Sequence, residues 1–314
     1  MSDQHTIPIQ TQKDGGPYRS GVVAIVGPPN AGKSTLLNYF LGQKIAIVTP
    51  RPQTTRNRIL GIVTGESYQI MFLDTPGLHK PRELLNREMV RIAMDTLAEA
   101  DVVLFLADAA AMAPARLERH RQEYLGYLEQ LRCPVVLALN KVDLLEKNKL
   151  LPIMDWYGGL HSFAAVVPIS ALKGEGTDIL INELLRFLPE GPQYYPDDVP
   201  TDAGQRFIAA EIIREKVFLL TREEVPYSTA VLIDSFQEPE EEGRPVIIHA
   251  TIMVEQGSQK GIIIGRQGRM LGEIRKSAVP DLEELLDCKV VLKLWVKVKK
   301  KWTRNERILR ELGM

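Results

Sequence analysis

The stretch Gly27-Pro28-Pro29-Asn30-Ala31-Gly32-Lys33-Ser34-Thr35 decides the fold of the first half of the chain. Two glycines enclose four residues and are followed by lysine and serine, which is the pattern of a phosphate-binding loop. The apolar run 22–26 before it is typical of a buried strand, and residues 34–41 after it are typical of a helix. The alternative is a Gly/Pro-rich turn that fits the pattern by chance, but such a turn need not lie between a buried strand and a helix. We therefore predict a nucleoside triphosphate site here.

Each residue type in this loop has its own task. Backbone N–H groups wrap around the phosphates at the positive end of the helix, and Gly27 and Gly32 permit that close approach. Lys33 reaches the outer phosphates, and the hydroxyl of Ser34 suits Mg²⁺. The positions of the loop predicted to contact nucleotide are Gly27, Asn30, Ala31, Gly32, Lys33, Ser34 and Thr35.

Length and composition limit the other possibilities. The 314 residues fit about two domains, and 45% apolar with 25% charged residues is ordinary for a globular protein. A net charge of −1 gives no global attraction for nucleic acid, so any such site must come from local charge segregation. The 2 cysteines and 5 histidines have no disulfide or metal-ligand spacing, and no apolar run reaches membrane-spanning length. We expect a cytoplasmic protein, for which peripheral membrane contact stays open.

The chain divides by pattern into two domains. Between residues 20 and 188, apolar runs alternate with helical patterns, which predicts an α/β domain with a doubly wound, mostly parallel sheet. Residues 1–19 are polar and are predicted to be a flexible extension. Prolines at 189, 192, 196 and 200 interrupt helix and sheet, so 189–204 is interpreted as a linker. Residues 205–314 read as a helix, two strands, two helices around a Gly-rich loop and a last strand, which predicts an α+β domain.

The sequence Asp74-Thr75-Pro76-Gly77 follows a strand-like run at 68–73. A carboxylate at that strand end can hold Mg²⁺ through water, and the N–H of Gly77 can bond the terminal phosphate. When that phosphate leaves, the bond is lost and the next segment relaxes, so hydrolysis becomes a conformational signal. The following residue is Leu78, where Ras-like enzymes carry a glutamine that orients water. Since leucine has no hydrogen-bonding group, we expect slow hydrolysis.

The polar, proline-broken stretch 49–56 has the composition of a mobile switch, although an ordinary connecting loop is the alternative. We expect Thr55, rather than Thr54, to close on Mg²⁺ and the γ-phosphate. Asn30 occupies a position at which some GTPases with a hydrophobic residue in place of that glutamine hold K⁺, and a purely loop-stabilising asparagine is the alternative. The predicted metal ligands are Ser34, Thr55 and Asp74, and the groups predicted to act on the γ-phosphate are Lys33, Thr55 and Gly77.

Two later motifs select the base. Asn140-Lys141-Val142-Asp143 follows the strand-like run 135–139, and Ser170-Ala171-Leu172 follows the run 165–169. The carboxylate of Asp143 matches the paired N1–H and N2–H₂ donors of guanine, whereas adenine would leave it unpaired. The Lys141 stem would cover the base, and the second motif can place a backbone N–H on the guanine oxygen. The sequence predicts GTP and GDP as ligands, with base-side contacts from Asn140, Lys141, Asp143, Ser170, Ala171 and Leu172.

The second domain contains Gly265-Arg266-Gln267-Gly268 between two predicted helices. In that context the pattern predicts a KH loop, which clamps a single-stranded nucleic acid backbone, and a plain turn is the alternative. Residues 289–314 contain nine lysines and arginines but only two glutamates. This excess of positive charge predicts a local electrostatic attraction for RNA, and the alternative is a solvated charged face. Trp295 and Trp302 are candidates for stacking on bases or for packing. RNA contacts are predicted at Lys260, Gly265, Arg266, Gln267, Gly268, Arg269, Arg275 and Lys276.

Taken together, these motifs resemble those of the bacterial Era family of GTPases, over about residues 20–312. The resemblance implies a P-loop GTPase domain followed by a type II KH domain. It also implies a GTPase that helps mature the small ribosomal subunit and binds the 3′ end of its RNA when loaded with GTP. A cytoplasmic protein with some peripheral inner-membrane association is implied as well, and we expect a monomer. Besides the loops above, the resemblance rests on Gln53-Thr-Thr-Arg56, Asp74-Thr-Pro-Gly-Leu-His79, Ile213-Arg-Glu-Lys216 and Leu294-Trp-Val-Lys-Val-Lys299.

The resemblance is weakest in the helix after the KH loop. Gly272 and Arg275 depart from the family's pattern, so we expect Arg275 or Lys276 to supply the RNA contacts of this helix. Two other functions remain open from the sequence. In one, the protein is a constitutive RNA-binding assembly factor in which GTP only stabilises the fold. In the other, it is a membrane-bound signalling GTPase whose basic tail contacts anionic lipids.

Overall fold

The computed structural model describes residues 17–77, 84–110, 126, 128, 129, 131–238, 241 and 243–314. Most of the predicted N-terminal extension lies outside the described residues, and so does Leu78. Contacts among the described residues divide the chain into two units. Apart from those gaps, the first contains residues 17–46, 55–77 and 88–202, and the second contains residues 47–54, 84–87 and 203–314.

A six-stranded sheet forms the centre of the first unit. Its spatial order is β2-β3-β1-β4-β5-β6, and every neighbouring pair is parallel except β2 and β3. This confirms the predicted mostly parallel sheet. The strands are β1 (Arg19–Val26), β2 (Ile59–Gly65), β3 (Tyr68–Asp74), β4 (Val102–Asp108), β5 (Val135–Asn140) and β6 (Ala165–Pro168).

Helices pack on both faces of this sheet. The described helices of the unit are α1 (Lys33–Leu41), α2 (Leu84–Glu99), α3 (Lys147–Gly158) and α4 (Thr177–Phe187). On one face, Ala24 of β1 belongs to an apolar cluster with Ala93 of α2 and Ile153 of α3. On the other face, Phe40 of α1 stacks on Phe72 of β3, with ring centroids 5.0 Å apart. Phe72 is in register with Val23, which lies on the opposite side of β1 from Ala24 because strand side chains alternate.

The parallel arrangement brings the predicted motifs to one edge of the sheet. The phosphate-binding loop leaves the carboxyl end of β1, Asp74 ends β3, and Asn140 ends β5. Ligands in open α/β sheets bind beyond these carboxyl ends. The topology therefore assembles one nucleotide site from separate parts of the sequence.

The described proline-rich stretch 189–204 contains no helix or strand, and the boundary between the two units lies within it, but most of it is hydrogen-bonded to the first unit. The side chain of Gln69 is fully buried, and its Oε1 accepts hydrogen bonds from the backbone nitrogens of Tyr194 and Tyr195 at 2.8 and 2.9 Å. The carbonyl of Pro200 accepts from the N–H of Ile62 on β2 at 2.8 Å. Proline cannot donate to a sheet but its carbonyl still accepts. The stretch is thus attached to the first unit, which ends at residue 202.

The second unit contains a three-stranded sheet of order β7-β8-β9, with β7 and β8 antiparallel and β8 and β9 parallel. Its strands are β7 (Ala230–Gln237), β8 (Val246–Val254) and β9 (Val290–Val298). Its helices are α5 (Gln205–Leu220), α6 (Gly257–Ile264), α7 (Arg269–Leu286) and α8 (Glu306–Glu311). The helix–strand–strand–helix–helix–strand order agrees with the predicted α+β domain.

Helix α5 differs from the sequence prediction. Its periodicity predicts one buried apolar stripe, made of Phe207, Ile208, Ile212, Val217 and Leu220. Instead, every residue from 211 to 218 is buried, including Glu211, Arg214, Glu215 and Lys216. Phe207 and Leu220 at the ends are only half-buried. Hydropathy alone assigns the four charged residues to solvent, whereas ion pairs allow them to be buried.

Within the described part of the chain, no helix combines the length and apolar character needed to cross a bilayer.

Candidate functional site

Two glycines of the phosphate-binding loop adopt backbone angles that other residues rarely adopt. Gly27 has φ of 148°, and a Cβ there would lie 2.1 Å from the carbonyl oxygen of Leu106 on β4. Gly32 has φ of 100°, and its Cβ would lie 2.2 Å from the side-chain nitrogen of Asn140. Any larger residue would therefore strain the backbone and collide with a neighbour. The loop is packed directly against the ends of β4 and β5.

Lys33 begins α1 and directs its ammonium group back over the loop. Its Nζ donates to the carbonyl oxygens of Gly27 and Pro28, each at 3.1 Å. The side chain is buried, and burial lowers the pKa of Lys33 while the nearby Asp74 opposes that change. A Cβ on Gly77 would lie 3.7 Å from this Nζ. The structure thus brings together Lys33 and Gly77, two of the groups predicted to act on the terminal phosphate.

Ser34, Thr55 and Asp74, the three predicted metal ligands, lie within hydrogen-bonding distance of one another. The Ser34 hydroxyl donates to Asp74 Oδ2 at 2.7 Å and lies 3.1 Å from the hydroxyl of Thr55. The Thr55 hydroxyl lies 3.5 Å from the same carboxylate oxygen. The side-chain hydroxyl of the neighbouring Thr54 instead bonds within its own segment, to the carbonyl of Arg51 and the hydroxyl of Thr49, both at 2.9 Å. Of the two candidate threonines, Thr55 is therefore the one placed beside Asp74.

The carboxylate of Asp74 suits a divalent cation. The residue is fully buried, and no hydrogen-bond donor among the described residues pairs with its Oδ1. Burial raises the pKa of Asp74, while Lys33 and the hydroxyls of Ser34 and Thr55 oppose the rise. A hard cation binds the charged form of a carboxylate and would offset the cost of burying it. Two hydroxyls and one carboxylate are ligands that Mg²⁺ prefers, so the residues fit the predicted ion.

The base-side motifs are joined by Asn140, whose side chain is almost completely buried. Its Nδ2 donates to the carbonyl of Ala31 at 2.7 Å, and its Oδ1 accepts from the N–H of Ala171 at 2.8 Å. Asn140 thus ties the phosphate-binding loop to the 170–172 loop. The N–H of Ala171, in the motif predicted to bond the guanine oxygen, bonds to Asn140 in this structure. Leu172, in the same loop, is 76% exposed.

Asp143 and Lys141 are both held by side chains. Asp143 Oδ1 accepts a hydrogen bond from the buried Ser170 hydroxyl at 2.8 Å. Lys141 has a positive φ of 68°, and its Nζ forms an ion pair with Asp108 Oδ2 at 2.6 Å. Asp108 belongs to none of the motifs that the sequence predicts for this site. It ends β4, so its place at the carboxyl end of a parallel strand was the signal that could have identified it.

The KH loop has two glycines with different surroundings. Gly265 has φ of 70° and ψ of 177°, and a Cβ there would lie 2.7 Å from the Cβ of Met270. Gly268 has φ of 80°, but a Cβ there would meet no atom within 4 Å. The first glycine is thus required by packing inside the protein. The second leaves open space in which a nucleic acid backbone can come close.

The predicted RNA-binding side chains lie in this loop and in the two helices that flank it. Arg266, Gln267, Arg269, Arg275 and Lys276 are exposed, and Lys260 is half-buried. No carboxylate of the described residues pairs with any of these five cations. The tail is different, because Lys289, Arg307 and Arg310 form ion pairs with Glu283, Glu311 and Glu306. The unpaired cations near the loop are therefore stronger evidence for RNA binding than the number of cations in the tail, where several are paired with glutamates.

The aromatic candidates separate clearly. Trp302 is fully buried, and its Nε1 donates to the carbonyl of Ser228 at 2.9 Å, so it belongs to the core. Trp295 on β9 is 49% exposed, with its ring centroid 5.2 Å from that of His249. Ile262, in the helix that leads into the KH loop, is 48% exposed and was missed by the sequence analysis. Its exposure next to the loop depends on helix orientation, which composition does not reveal.

The first unit is a P-loop GTPase domain, and the second contains a KH domain. Residues 22–141 match the family model described as 50S ribosome-binding GTPase, and residues 224–303 match the KH domain model. The chain is 51% identical to GTPase Era of Syntrophus aciditrophicus, covering 94% of this chain and 95% of that protein. It is 52% identical to GTPase Era of Geobacter metallireducens, covering 95% and 98%. The chain belongs to the GTPase Era family and is a GTPase.

Solved Era structures agree with this fold. One is an Aquifex aeolicus Era variant bound to GDP·AlF₄⁻, 42% identical with a TM-score of 0.88, which covers 94% of this chain and 99% of that chain. Another is Era in complex with MgGDPNP and nucleotides 1506–1542 of 16S ribosomal RNA, 42% identical with a TM-score of 0.89 and the same coverage. The predicted fold class, an α/β P-loop GTPase domain followed by an α+β KH domain, is confirmed.

Proposed function

We propose that this GTPase binds the single-stranded 3′ end region of small-subunit ribosomal RNA in a nucleotide-dependent manner and assists maturation of that subunit. The observation that carries the proposal is a KH loop with exposed, unpaired cations in a chain that also builds a P-loop GTPase site. The Era relative solved with MgGDPNP and a 16S ribosomal RNA fragment supports the choice of RNA. The proposal covers a monomer that acts on the small ribosomal subunit.

In this proposal the residues of the first unit hold GTP for a slow hydrolysis. The loop glycines allow backbone N–H groups to bind the phosphates, Lys33 binds the outer phosphates, and Gly77 donates to the terminal one. Mg²⁺, held by Ser34, Thr55 and Asp74, would neutralise charge on the phosphates. Hydrolysis is slow because Leu78, the residue after Gly77, has no group that orients the attacking water.

Guanine selection depends on Asp143. Its carboxylate accepts two hydrogen bonds from guanine, and the bond from Ser170 fixes its orientation. The Lys141 stem, held by Asp108, covers the base. Adenine has no N2 amine, so a carboxylate facing it would lose water without gaining a donor. This penalty makes GTP and GDP the ligands, rather than ATP and ADP.

In the second unit, RNA is bound by its backbone. Gly268 leaves room for the phosphodiester chain, and Arg266 and Arg269 provide charge beside it. Departure of the terminal phosphate removes the bond to Gly77 and loosens Thr55, and RNA is released in response.

The deciding experiment compares RNA affinity with GDP and with a non-hydrolysable GTP analogue. A fluorescent single-stranded RNA from the 3′ end of small-subunit ribosomal RNA should bind about 5–150-fold more tightly with the analogue, the range of typical allosteric coupling. An RNA of the same length and reversed sequence controls for charge. Equal affinities with both nucleotides would leave only a constitutive RNA-binding factor. Depletion of the protein should also delay 3′-end processing of the RNA in cells, and normal processing would contradict the maturation role.

The proposal includes a potassium ion beside Asn30. This residue is exposed, has φ of 63° and lies in the phosphate-binding loop, where positive charge would assist a site without a water-orienting glutamine. Hydrolysis in K⁺ should exceed hydrolysis in Na⁺ by about tenfold or more. Asn30→Gly keeps the left-handed backbone and should abolish the difference, whereas Asn30→Asp keeps a ligand oxygen and should retain part of it. Equal rates in the two salts would leave Asn30 as a loop-stabilising residue.

We further propose a cytoplasmic location with peripheral association at the inner face of the cell membrane. The exposed cations of β9 and the residues after it support this, because anionic lipid attracts such charge. Vesicles with anionic lipid should co-sediment with the protein at low salt, and neutral vesicles should not. Equal recovery with both vesicle types would refute the electrostatic association.

A further inference from the structure

Helix α5 buries four charged side chains, and charged residues are almost never fully buried unless they are paired. Glu211, Arg214, Glu215 and Lys216 are each less than 9% exposed. Burying ions costs several kcal/mol each before their partners compensate, and well-packed apolar residues usually do as well or better. A buried ion cluster is therefore weak evidence for stability alone. Its hydrogen-bond partners indicate what else it does.

The guanidinium group of Arg214 is buried and makes several specific contacts. Its Nε and Nη2 donate to the two carboxylate oxygens of Glu211 at 2.7 and 2.6 Å. Nη2 also donates to the backbone carbonyl of Thr54 at 2.7 Å. The guanidinium carbon lies 5.3 Å from the centroid of the Phe218 ring. The side chain is 3% exposed, and its Nη1 is buried without a hydrogen-bond acceptor among the described residues.

Arg214 makes one of the hydrogen bonds that hold the segment 47–54 to the region of α5. The N–H of Val48 donates to Glu215 Oε1 at 3.0 Å, and Arg51 donates from its side chain to the carbonyl of Thr221. These residues all belong to the second unit. The segment predicted as a switch is therefore attached, through most of its length, to the unit that carries the KH loop.

The next residue along the chain belongs to the other unit. Thr55 lies in the first unit and contacts Ser34 and Asp74, the two other groups that fit Mg²⁺. A single peptide bond separates the carbonyl that Arg214 holds from the backbone of Thr55. Because a peptide unit is planar and rigid, moving the Thr54 carbonyl also moves the backbone of Thr55.

We propose that Arg214 is a positioning residue, which sets Thr55 for the GTP-loaded site by holding the carbonyl of Thr54. In the reverse direction it communicates the nucleotide state to α5 and the RNA-binding unit. The unpaired Nη1 gives the guanidinium a donor with which to hold the carbonyl in a second position when the segment moves. This inference rests on the proposed nucleotide-dependent RNA binding, and names the residue through which that dependence operates.

The test removes the ion pair without leaving a buried charge unpaired. Glu211→Leu combined with Arg214→Met replaces both partners by apolar side chains, a change that buried pairs commonly tolerate. RNA affinity is measured with GDP and with a non-hydrolysable GTP analogue, and thermal unfolding is recorded alongside. Ile213→Val, at a fully buried apolar position of the same helix, is the control for a modest loss of stability.

We expect the double variant to lose the nucleotide dependence of its RNA binding without losing RNA binding itself. The ratio of RNA affinities should fall at least fivefold towards one in the double variant, while RNA affinity with GDP stays within about twofold. Ile213→Val should keep the wild-type ratio. By reciprocity, the factor by which RNA raises the affinity for the analogue relative to that for GDP should fall equally in the double variant. The affinity for the analogue without RNA should also become less dependent on Mg²⁺, because Thr55 is no longer positioned.

Arg214→Lys covers the case in which the double variant does not fold. A lysine can reach the carbonyl or the carboxylate but lacks the planar fork that binds both, so it should give an intermediate ratio. A wild-type ratio in a folded double variant, or in Arg214→Lys, overturns the inference about Arg214. A ratio of one in the wild-type protein would instead refute the proposed function itself, so the two failures are distinguishable.

Discussion

The chain contains two glycine-rich loops, one proposed to bind nucleotide phosphates and the other the RNA backbone, and the two are built in opposite ways. In the loop that precedes α1, Gly27 and Gly32 are each required because a side chain would strike a neighbour about 2 Å away. Its cation, Lys33, is buried and hydrogen-bonded to the loop itself. In the KH loop, a Cβ on Gly268 would meet nothing within 4 Å, and Arg266 is exposed.

The difference follows from the size of the ligand. A nucleotide is small enough to be enclosed, so the protein can fix each of its contacts in advance inside a region of low dielectric. An RNA strand continues beyond any loop, so a KH loop can only grip its backbone at one place. The charges at that place remain in water, are screened by salt and carry no sequence information. We expect any sequence preference to come from neighbouring side chains, such as the exposed Ile262.

The largest effect is expected from Lys33→Ala. This change removes a buried ammonium that can bind phosphates by charge-assisted hydrogen bonds, so GTP affinity should fall about 100-fold or more. RNA affinity of the nucleotide-free protein should be unchanged, since the KH loop is intact. Lys149→Ala, at a 58% exposed position on α3, is the matched control. Titration with a fluorescent GTP measures the GTP affinity of both variants. Normal GTP affinity in Lys33→Ala would refute the assignment of the phosphate-binding loop.

Arg266→Asp should produce the converse result. Reversing an exposed charge beside the KH loop should weaken RNA binding about 10–100-fold and reduce its salt dependence, while GTP affinity is unchanged. Arg307→Asp changes the net charge equally, but Arg307 is already paired with Glu311 in the tail. It should weaken RNA binding only slightly. If both variants lose the same affinity, the general field of the domain binds RNA and the loop has no special role.

Asp143→Asn tests the base side of the enclosed site. An asparagine keeps an acceptor for the Ser170 hydroxyl but replaces one acceptor for guanine by a donor. GTP affinity should fall about 10–100-fold, and xanthosine triphosphate, whose C2 carries a carbonyl, should gain affinity. Competition experiments with GTP, ATP and the xanthine nucleotide measure this change, with the exposed Asp155→Asn as control. Unchanged discrimination against ATP would contradict the role of Asp143.

The enclosed site was more predictable from sequence than the open one. Each of its elements is a local motif at the end of an apolar strand, and a parallel sheet brings such ends together. What the sequence did not reveal were contacts between distant residues, such as Asp108 with Lys141 and Arg214 with the carbonyl of Thr54. These depend on side-chain direction in the folded chain. A backbone carbonyl as acceptor leaves no mark on the sequence at all.

In the second unit, residue type predicted exposure less well. Trp295 and Trp302 had the same two interpretations, but β9 presents the first to solvent while the second packs in the core. Helix α5 buried charged residues that its hydropathy assigned to solvent. In both cases, packing against the rest of the unit decided which side chains were covered. Amphipathic periodicity identifies helix and strand, but buried polar pairs cancel its signal.

The smallest predicted effects on ligand binding come from the two glycines of the KH loop, which differ first in their effects on stability. Gly265 has backbone angles that are almost exclusive to glycine, and a Cβ would also press on Met270, so Gly265→Ala should cost about 2–4 kcal/mol of stability. Gly268→Ala meets open space and suffers only from its positive φ, so it should cost about 1 kcal/mol. Urea unfolding of the two variants measures this difference.

RNA binding should rank these glycine variants differently from stability. A methyl group on Gly268 fills the space where the RNA backbone would come close, so the folded variant should lose several-fold in RNA affinity despite its modest loss of stability. Gly272→Ala is the matched control, because Gly272 lies within α7, has no close neighbours and should gain stability as alanine. If Gly268→Ala binds RNA as well as Gly272→Ala does, the open space beside the loop is not where the RNA backbone lies. The KH loop would then differ from the phosphate-binding loop in exposure alone, and not in leaving room for its ligand.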